Sequence, residues 1–182
     1  IKSDGEIIEI KDNSHHFFDH TLENQENFSV MSKGYGLLLY GKDGKMLTKE
    51  TYRYEGESLS YFVTLVNSND RNDRVALMIF AGNQPQPFRV DGKNEVYYLY
   101  PVELEAHSLV NLPFSFDPIL KEKNKVYPLQ FVMIQNLDIM PEEHSKLSFY
   151  ITSGHYKIIA TGNTEVKNNT LDSNAISAVA RR

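Results

Sequence analysis

The sequence predicts an all-β domain made of two antiparallel sheets packed face to face. Runs of β-branched and aromatic residues alternate with clusters of Gly, Pro, Asn and Asp along most of the chain. The runs recur at roughly the 8 to 12 residue spacing expected of a sandwich, which gives about nine or ten strands. No stretch between residues 37 and 161 shows the apolar repeat of an amphipathic helix.

The first half of the chain carries predicted strands at residues 6–10, 37–40, 45–48, 59–66 and 75–80. The second and third form a hairpin around Lys42-Asp43-Gly44, because this glycine can take a positive φ. The last two are joined by the polar loop NSNDRND, and their apolar content predicts a central place in the sheets. Pro85 and Pro87 end the run at 75–80, because proline cannot donate to a strand ladder.

The second half of the chain continues the strand pattern. NEVYYLYPVELEAHSL predicts one or two strands interrupted at Pro101, and VNLPFSFD predicts a strand with Phe114 and Phe116 on one face. Further strands are predicted at residues 129–134, 147–152 and 156–161, the last two joined at Ser153-Gly154. The residues expected in the core are Phe62, Val66, Ile79, Phe116, Phe131 and Phe149.

The chain has the length of one ordinary domain. We expect the sandwich to cover residues 1–162, with residues 1–30 partly irregular. Residues 163–182 are polar and then mildly apolar, which predicts a tail or linker that can form a short helix from Ser173. Minor helical turns are expected at HHFFDHTLENQ and at DPILKEKN, where Asp117 can cap a turn opened by Pro118.

The stretch LVNSNDRNDRVALMIFAG, followed by PFRVDG and LPFSFDP, resembles in its rhythm the immunoglobulin-like modules of bacterial surface and secreted proteins. The chain lacks the Cys and Trp of antibody domains. A sandwich of immunoglobulin-like type is therefore the expected fold, and a jelly roll is its rival. The resemblance implies a role in attachment, spacing or recognition.

Composition and motifs restrict the possible functions. The absence of cysteine excludes disulfides, thiolate catalysis and thiolate zinc sites. The net charge of -5 argues against a nucleic-acid partner, and no apolar run approaches the roughly 18 residues that span a bilayer. No nucleophile elbow, P-loop or dinucleotide motif is present, so we expect no enzyme. We expect an extracellular or cell-envelope location, with the cytoplasm as the alternative.

The segment NSHHFFDHTLENQ is the first candidate site, because it places three histidines close to an aspartate. On a helical turn, His16 and His20 share one side, and His15 and Asp19 share another. Neutral imidazole and carboxylate are zinc ligands. A further ligand would have to come from His107, His144 or His155. The alternative is that Phe17 and Phe18 anchor the segment and the histidines are solvated.

The loop at residues 67–73 is the second candidate site, because it gathers oxygen donors between two strands. Calcium takes six to eight such oxygens. The loop also contains Arg71, whose positive charge opposes a cation, and Asn and Asp are common in polar connections. The sequence leaves both interpretations open, so calcium joins zinc as a possible cofactor beside the simpler expectation of none.

Tyrosine provides the third candidate site. In extended strands Tyr52 and Tyr54 share a face, as do Tyr98 and Tyr100, and Tyr97 lies beside them. A row of such rings suits a sugar or a partner protein, because each ring is apolar with a polar tip. The alternative is packing at the rim of the sandwich, with the hydroxyls in water.

Two hypotheses of function follow from the sequence. The first is a non-catalytic binding or structural module, exported or at the cell surface, that recognises a protein or a glycan. The second is a metal-binding protein or metal-dependent hydrolase built around His15, His16, Asp19 and His20.

Deletion of each end of the chain tests the predicted domain boundaries. Removing residues 163–182 should leave the melting temperature nearly unchanged. This segment has few large apolar groups, so its burial could offset little of the roughly 1 to 2 kcal/mol per residue that ordering the backbone costs. Removing residues 1–20 should lower it, because Ile7, Ile8 and Ile10 are lost. Thermal unfolding followed by circular dichroism measures both, and a large drop for the C-terminal deletion would contradict the assignment of a tail.

Overall fold

The computed structural model describes residues 5–14, 27–48, 51–138 and 151–161, with the backbone alone at 27 and 28. Its strands are β1 (Ile8–Asp12), β2 (Asn27–Val30), β3 (Tyr35–Gly41), β4 (Thr51–Tyr54), β5 (Leu59–Asn67), β6 (Asp73–Ala81), β7 (Gln84–Pro85), β8 (Phe88–Val90), β9 (Val96–Tyr97), β10 (Tyr100–Leu104), β11 (Ser108–Phe116), β12 (Val126–Ile134) and β13 (Ile151–Ala160). They form two sheets, which confirms the predicted all-β sandwich.

The first sheet is built around the long antiparallel pair β5 and β11. Its strand order is β2-β1-β11-β5-β3, and β8 and β9 extend it beyond β11. Strand β11 has two partners along one edge: its residues 108–109 pair with β1, and its residues 114–115 pair with β8. The β1–β11 pairing is parallel, whereas the other pairings in this sheet are antiparallel.

The second sheet has the order β10-β6-β12-β13-β4, with the short strand β7 paired to β6. Strand β12 lies between β6 and β13 and pairs antiparallel with both. The edge strand β4 pairs parallel with β13. Strands β6 and β12 are therefore neighbours in space although about 50 residues separate them in the chain, as sandwich connections allow.

The main core lies between the sheets and is built from the alternate residues of each long strand. Of the predicted core residues, Ile79, Phe116 and Phe131 are buried there. Val66 is also buried, but it belongs to a smaller cluster with Ile8, Ile10 and Leu109 on the outer side of the first sheet. Phe149 lies outside the described residues.

The prediction that Phe62 is a core residue was wrong. Tyr61 and Val63 pack in or against the main core. Because side chains alternate along a strand, Phe62 points to the opposite face of β5, where it is half-buried. The sequence showed that this run is a strand, but its apolar residues lie on both faces and do not reveal which face is covered.

The predicted break at Ser153-Gly154 is absent, because β13 runs through both residues. A Cβ at Gly154 would lie 3.3 Å from Cδ2 of Leu37 in the opposite sheet and 3.2 Å from the ring of Tyr156. Glycine here allows two packed elements to approach closely, and it does not mark a turn.

Three further local predictions were wrong. Residues 45–48 form only a bridge between Tyr40 and Met46. Pro101 lies inside β10 and does not interrupt it, because an edge strand tolerates proline. Residues 117–124 form no helical turn. There the amide of Ile119 donates to Oε1 of the buried Gln86 at 2.7 Å, which holds the segment extended.

Phe131→Ala should lower the free energy of unfolding by about 3 to 5 kcal/mol, because it opens a cavity among buried rings. Phe131 is fully buried, and its ring centroid lies 5.7 Å from that of Phe114. Phe62→Ala is the matched control and should cost less, because that side chain is only half-buried. Urea denaturation of both variants measures the difference, and equal losses would show that the core is wrongly assigned.

Candidate functional site

The predicted tyrosine platform is mostly turned toward the interior. Tyr54 and Tyr100 are buried core residues, and Tyr52 and Tyr97 are half-buried against the same core. Tyr98 is half-buried at a bend between β9 and β10. The chain therefore does not present these five rings as one exposed row.

Ring contacts hold these tyrosines against their neighbours. The ring centroid of Tyr52 lies 6.2 Å from that of Tyr61 and 6.0 Å from that of Tyr156. Tyr97 and Tyr100 meet edge to face at 4.8 Å. Such edge-to-face geometry is favourable for aromatic pairs and adds to the burial of each ring. The rings thus serve packing at the rim and the interior of the sandwich.

Burial also changes the acidity of the tyrosines. Burial, assisted by the nearby Tyr52, raises the pKa of Tyr61 to about 12. The pKa of Tyr156 is raised by burial, and that of Tyr54 is raised by burial and by the carboxylate of Asp117. Loss of water disfavours the phenolate, so these hydroxyls stay protonated well above neutral pH.

The predicted histidine site, His15, His16, Asp19 and His20, lies outside the described residues. Within the parts of the chain that the structure does describe, no three His, Asp or Glu side chains are grouped to hold a metal. His107, one proposed further ligand, has its Nε2 2.9 Å from Oδ1 of Asp70.

Several side-chain oxygens of the 67–73 loop already accept hydrogen bonds from the protein. Oδ1 of Asn67 accepts from the amide of Asn69 at 3.0 Å, and Oδ1 of Asn72 accepts from the amide of Ala106 at 2.9 Å. Asp70 contacts Lys33 and His107, whose hydrogen bonds hold its pKa below the usual value. A calcium ion at this loop would therefore have to displace protein donors.

The outer face of the second sheet carries an apolar depression that the sequence reasoning missed. Its volume is about 420 Å³, and we call it the outer groove. It is lined by Met78, Phe80, Asn83, Gln130, Val132, Ile134, Ile151 and Ser153. The residues that alternate with Met78 and Phe80 on β6 point into the core, so β6 is apolar on both faces.

Three strands bring this lining together. In the register of the sheet, Val132 of β12 lies between Met78 of β6 and Ser153 of β13. Ile151 enters from the start of β13 and is 41% exposed. The sequence does contain a signal for this apolar outer face. The unbroken apolar runs VALMIF and FVMI leave no polar residue for a solvent-exposed face of β6 or β12.

A hydrogen-bonded trio lies at one end of the outer groove. Nδ1 of His155 is 3.1 Å from Nε2 of Gln130, and Nε2 of His155 is 2.9 Å from Oγ of Ser153. The amide nitrogen of Gln130 can only donate, so with this placement of the amide Nδ1 of His155 is its acceptor. The trio places an imidazole, an amide and a hydroxyl side by side at this end of the outer groove.

Comparison with known proteins assigns no family to the chain. No family model matches the chain, and no curated protein is significantly similar to it. No helix among the described residues is long and apolar enough to cross a membrane.

Three solved structures resemble the chain in fold. The FixG-related protein from Vibrio parahaemolyticus is 13% identical, with a TM-score of 0.42, over 70% of this chain and 97% of that one. The CARDB domain of a Pyrococcus furiosus protein, solved with di-metal ions, is 8% identical, with a TM-score of 0.41, over 71% and 96%. A PapD-like domain of human CEP192 is 12% identical, with a TM-score of 0.32, over 72% and 87%. The β-sandwich itself is established by the two sheets of the structure.

Tyr61→Phe should make the protein less sensitive to alkaline pH. The folded-state pKa of about 12 exceeds the ordinary 10.0, so the folded state holds this proton more tightly. The stabilisation is complete below pH 10.0 and is lost as the pH rises toward about 12. Urea unfolding at a series of pH values measures it, and phenylalanine keeps the ring packing. An identical loss of stability in both proteins would contradict the assignment.

Proposed function

We propose that this chain is a non-catalytic module that binds a protein partner through the outer groove. The observation that carries the proposal is an apolar depression on the outer face of the second sheet, at whose edge Ile151 is 41% exposed. An antiparallel sheet with one face in the core normally places polar residues on the other. Exposed apolar patches rimmed by polar groups mark interaction sites, and each Å² of apolar surface covered there contributes about 25 cal/mol.

The chemistry of the groove favours a protein over a glycan. Its apolar lining is mainly aliphatic at Val132, Ile134 and Ile151, with one methionine, Met78, and one aromatic ring, Phe80. Methionine adapts its shape to an incoming side chain. Sugar recognition by stacked aromatic rings would instead draw on the tyrosines, and Tyr54 and Tyr100 are buried in the core. We propose an extracellular or cell-envelope setting, with which the absence of cysteine is compatible.

The size of the groove indicates the scale of the contact. Its volume of about 420 Å³ lies in the lower part of the range of about 300 to 1,000 Å³ for binding sites. Such a depression holds the apolar side chains of a short segment, with Gln130, Asn83 and Ser153 as polar contacts at its border. A partner would therefore insert a few anchoring residues.

Site-specific photo-crosslinking tests the proposal. Ile151 in the groove and Val96 in the other sheet, 41% and 52% exposed, are each replaced by benzoylphenylalanine. After illumination in an extract of the source cells and their medium, the probe at position 151 should give discrete protein adducts that the probe at position 96 does not give.

Competition supplies the control for these adducts. Excess unlabelled wild-type chain and the variant Val96→Asp should both suppress them, whereas Ile151→Asp should not, because a carboxylate in the groove opposes apolar contact. The melting temperatures of both variants are compared first, so that loss of fold is not mistaken for loss of binding. Adducts that are equal at both probe positions, or that Ile151→Asp suppresses fully, would contradict the proposed site.

A further inference from the structure

The outer face of the second sheet changes from apolar to cationic along β13. The register pairs Ile151 with Ile134, Ser153 with Val132, His155 with Gln130, and Lys157 with Pro128. Alternate residues of a strand lie on one face, so Ile151, Ser153, His155 and Lys157 follow one another on the outer side. The groove end of this row is apolar, and its other end is basic.

A second cation lies beside this end of the row. Arg53 of the edge strand β4 pairs with Ile159 of β13, and it is exposed, as are His155 and Lys157. Strands β4, β12 and β13 contain no acidic residue. Neither Arg53 nor Lys157 forms an ion pair with another residue of the described ranges.

The opposite end of the sheet is different, because its cation is neutralised within the protein. Arg74 at the start of β6 forms ion pairs with Glu103 at 3.5 Å and with Asp138 at 3.2 Å. On a chain with a net charge of -5, the basic end next to the groove has no ion pair among the described residues and forms a local positive region there. Charges of opposite sign across an interface select and orient a partner.

On the basis of the proposed function, we infer that the partner segment is extended and carries carboxylates about four residues from its apolar anchors. The anchors occupy the outer groove, and the carboxylates face Lys157 and Arg53. Ser153 and Lys157 are four residues apart on β13, which corresponds to about 13 Å at roughly 3.3 Å per residue. An extended peptide of the same length covers the same distance.

A second copy of this chain fits the observations less well. A stable interface buries about 800 Å² on each partner. Of the residues that line the groove, Ile151 is the large hydrophobic side chain that stands well exposed, while Met78 and Val132 are 5% and 9% exposed. The exposed apolar area of the groove is therefore suited to a short segment and not to a whole sheet face of a second copy.

The inference is tested by titrating the full chain with two capped peptides, LVLSGDD and LVLSGKK, and following binding by calorimetry at low and high salt. The acidic peptide should bind more tightly, and the difference should shrink as salt screens the charges. Lys157→Glu should weaken binding of the acidic peptide about fivefold. Lys42→Glu changes the net charge equally but lies in the turn after β3 of the other sheet, so it should have no such effect.

The possible outcomes separate the two proposals. Equal affinity for both peptides, or equal effects of Lys157→Glu and Lys42→Glu, would overturn the inference on charge and leave the apolar groove as the binding site. Binding of neither peptide would also overturn the inference, and the crosslinks at position 151 would then decide the proposed function alone. Binding to vesicles of phosphatidylglycerol and phosphatidylcholine, but to neither peptide, would replace the peptide by an anionic membrane surface.

Discussion

The arrangement of the sandwich depends on the buried amide of Asn67, which joins its two sheets at one end. Nδ2 of this fully buried side chain donates to the carbonyls of Arg71 at 2.9 Å, Leu104 at 3.2 Å and Glu105 at 3.1 Å. Its Oδ1 accepts from both nitrogens of Asn69. Asn67 ends β5 in one sheet, and Leu104 ends β10 in the other. A buried amide left without these partners would cost about 1 to 3 kcal/mol, so the loop conformation and the sheet contact are fixed together.

The same loop determines how β6 enters the second sheet. Oδ2 of Asp73, the first residue of β6, accepts from the amide of Asn136 at 3.1 Å and from the hydroxyl of Tyr35 in the first sheet. These contacts link the start of β6 to the residues that follow β12, next to the register that pairs Ala76 with Ile134. Register matters because a slip of one residue would turn Met78 into the core and Ile79 to the surface. The position of the outer groove therefore depends on this register.

The proposed binding function uses the outer face of a sheet whose inner face packs in the core. Strand β12 contributes Phe131 to the interior and Val132 to the groove. The apolar exterior is confined to a small depression, and the basic row ending at Lys157 lies next to it. In the proposed function, this combination would limit non-specific association and give the partner both an anchor and a direction.

The sequence alone determined the fold class, because few folds other than a β-sandwich accommodate β-branched and aromatic runs separated by turn residues. It also located core residues such as Phe116 and Phe131. It could not assign the face of Phe62 or the inward direction of Tyr54, because both faces of those strands carry apolar or aromatic residues. Only the tertiary structure created the groove. Met78, Val132 and Ile151 belong to strands that are distant in the chain, and non-local pairing in the order β6-β12-β13 makes them neighbours.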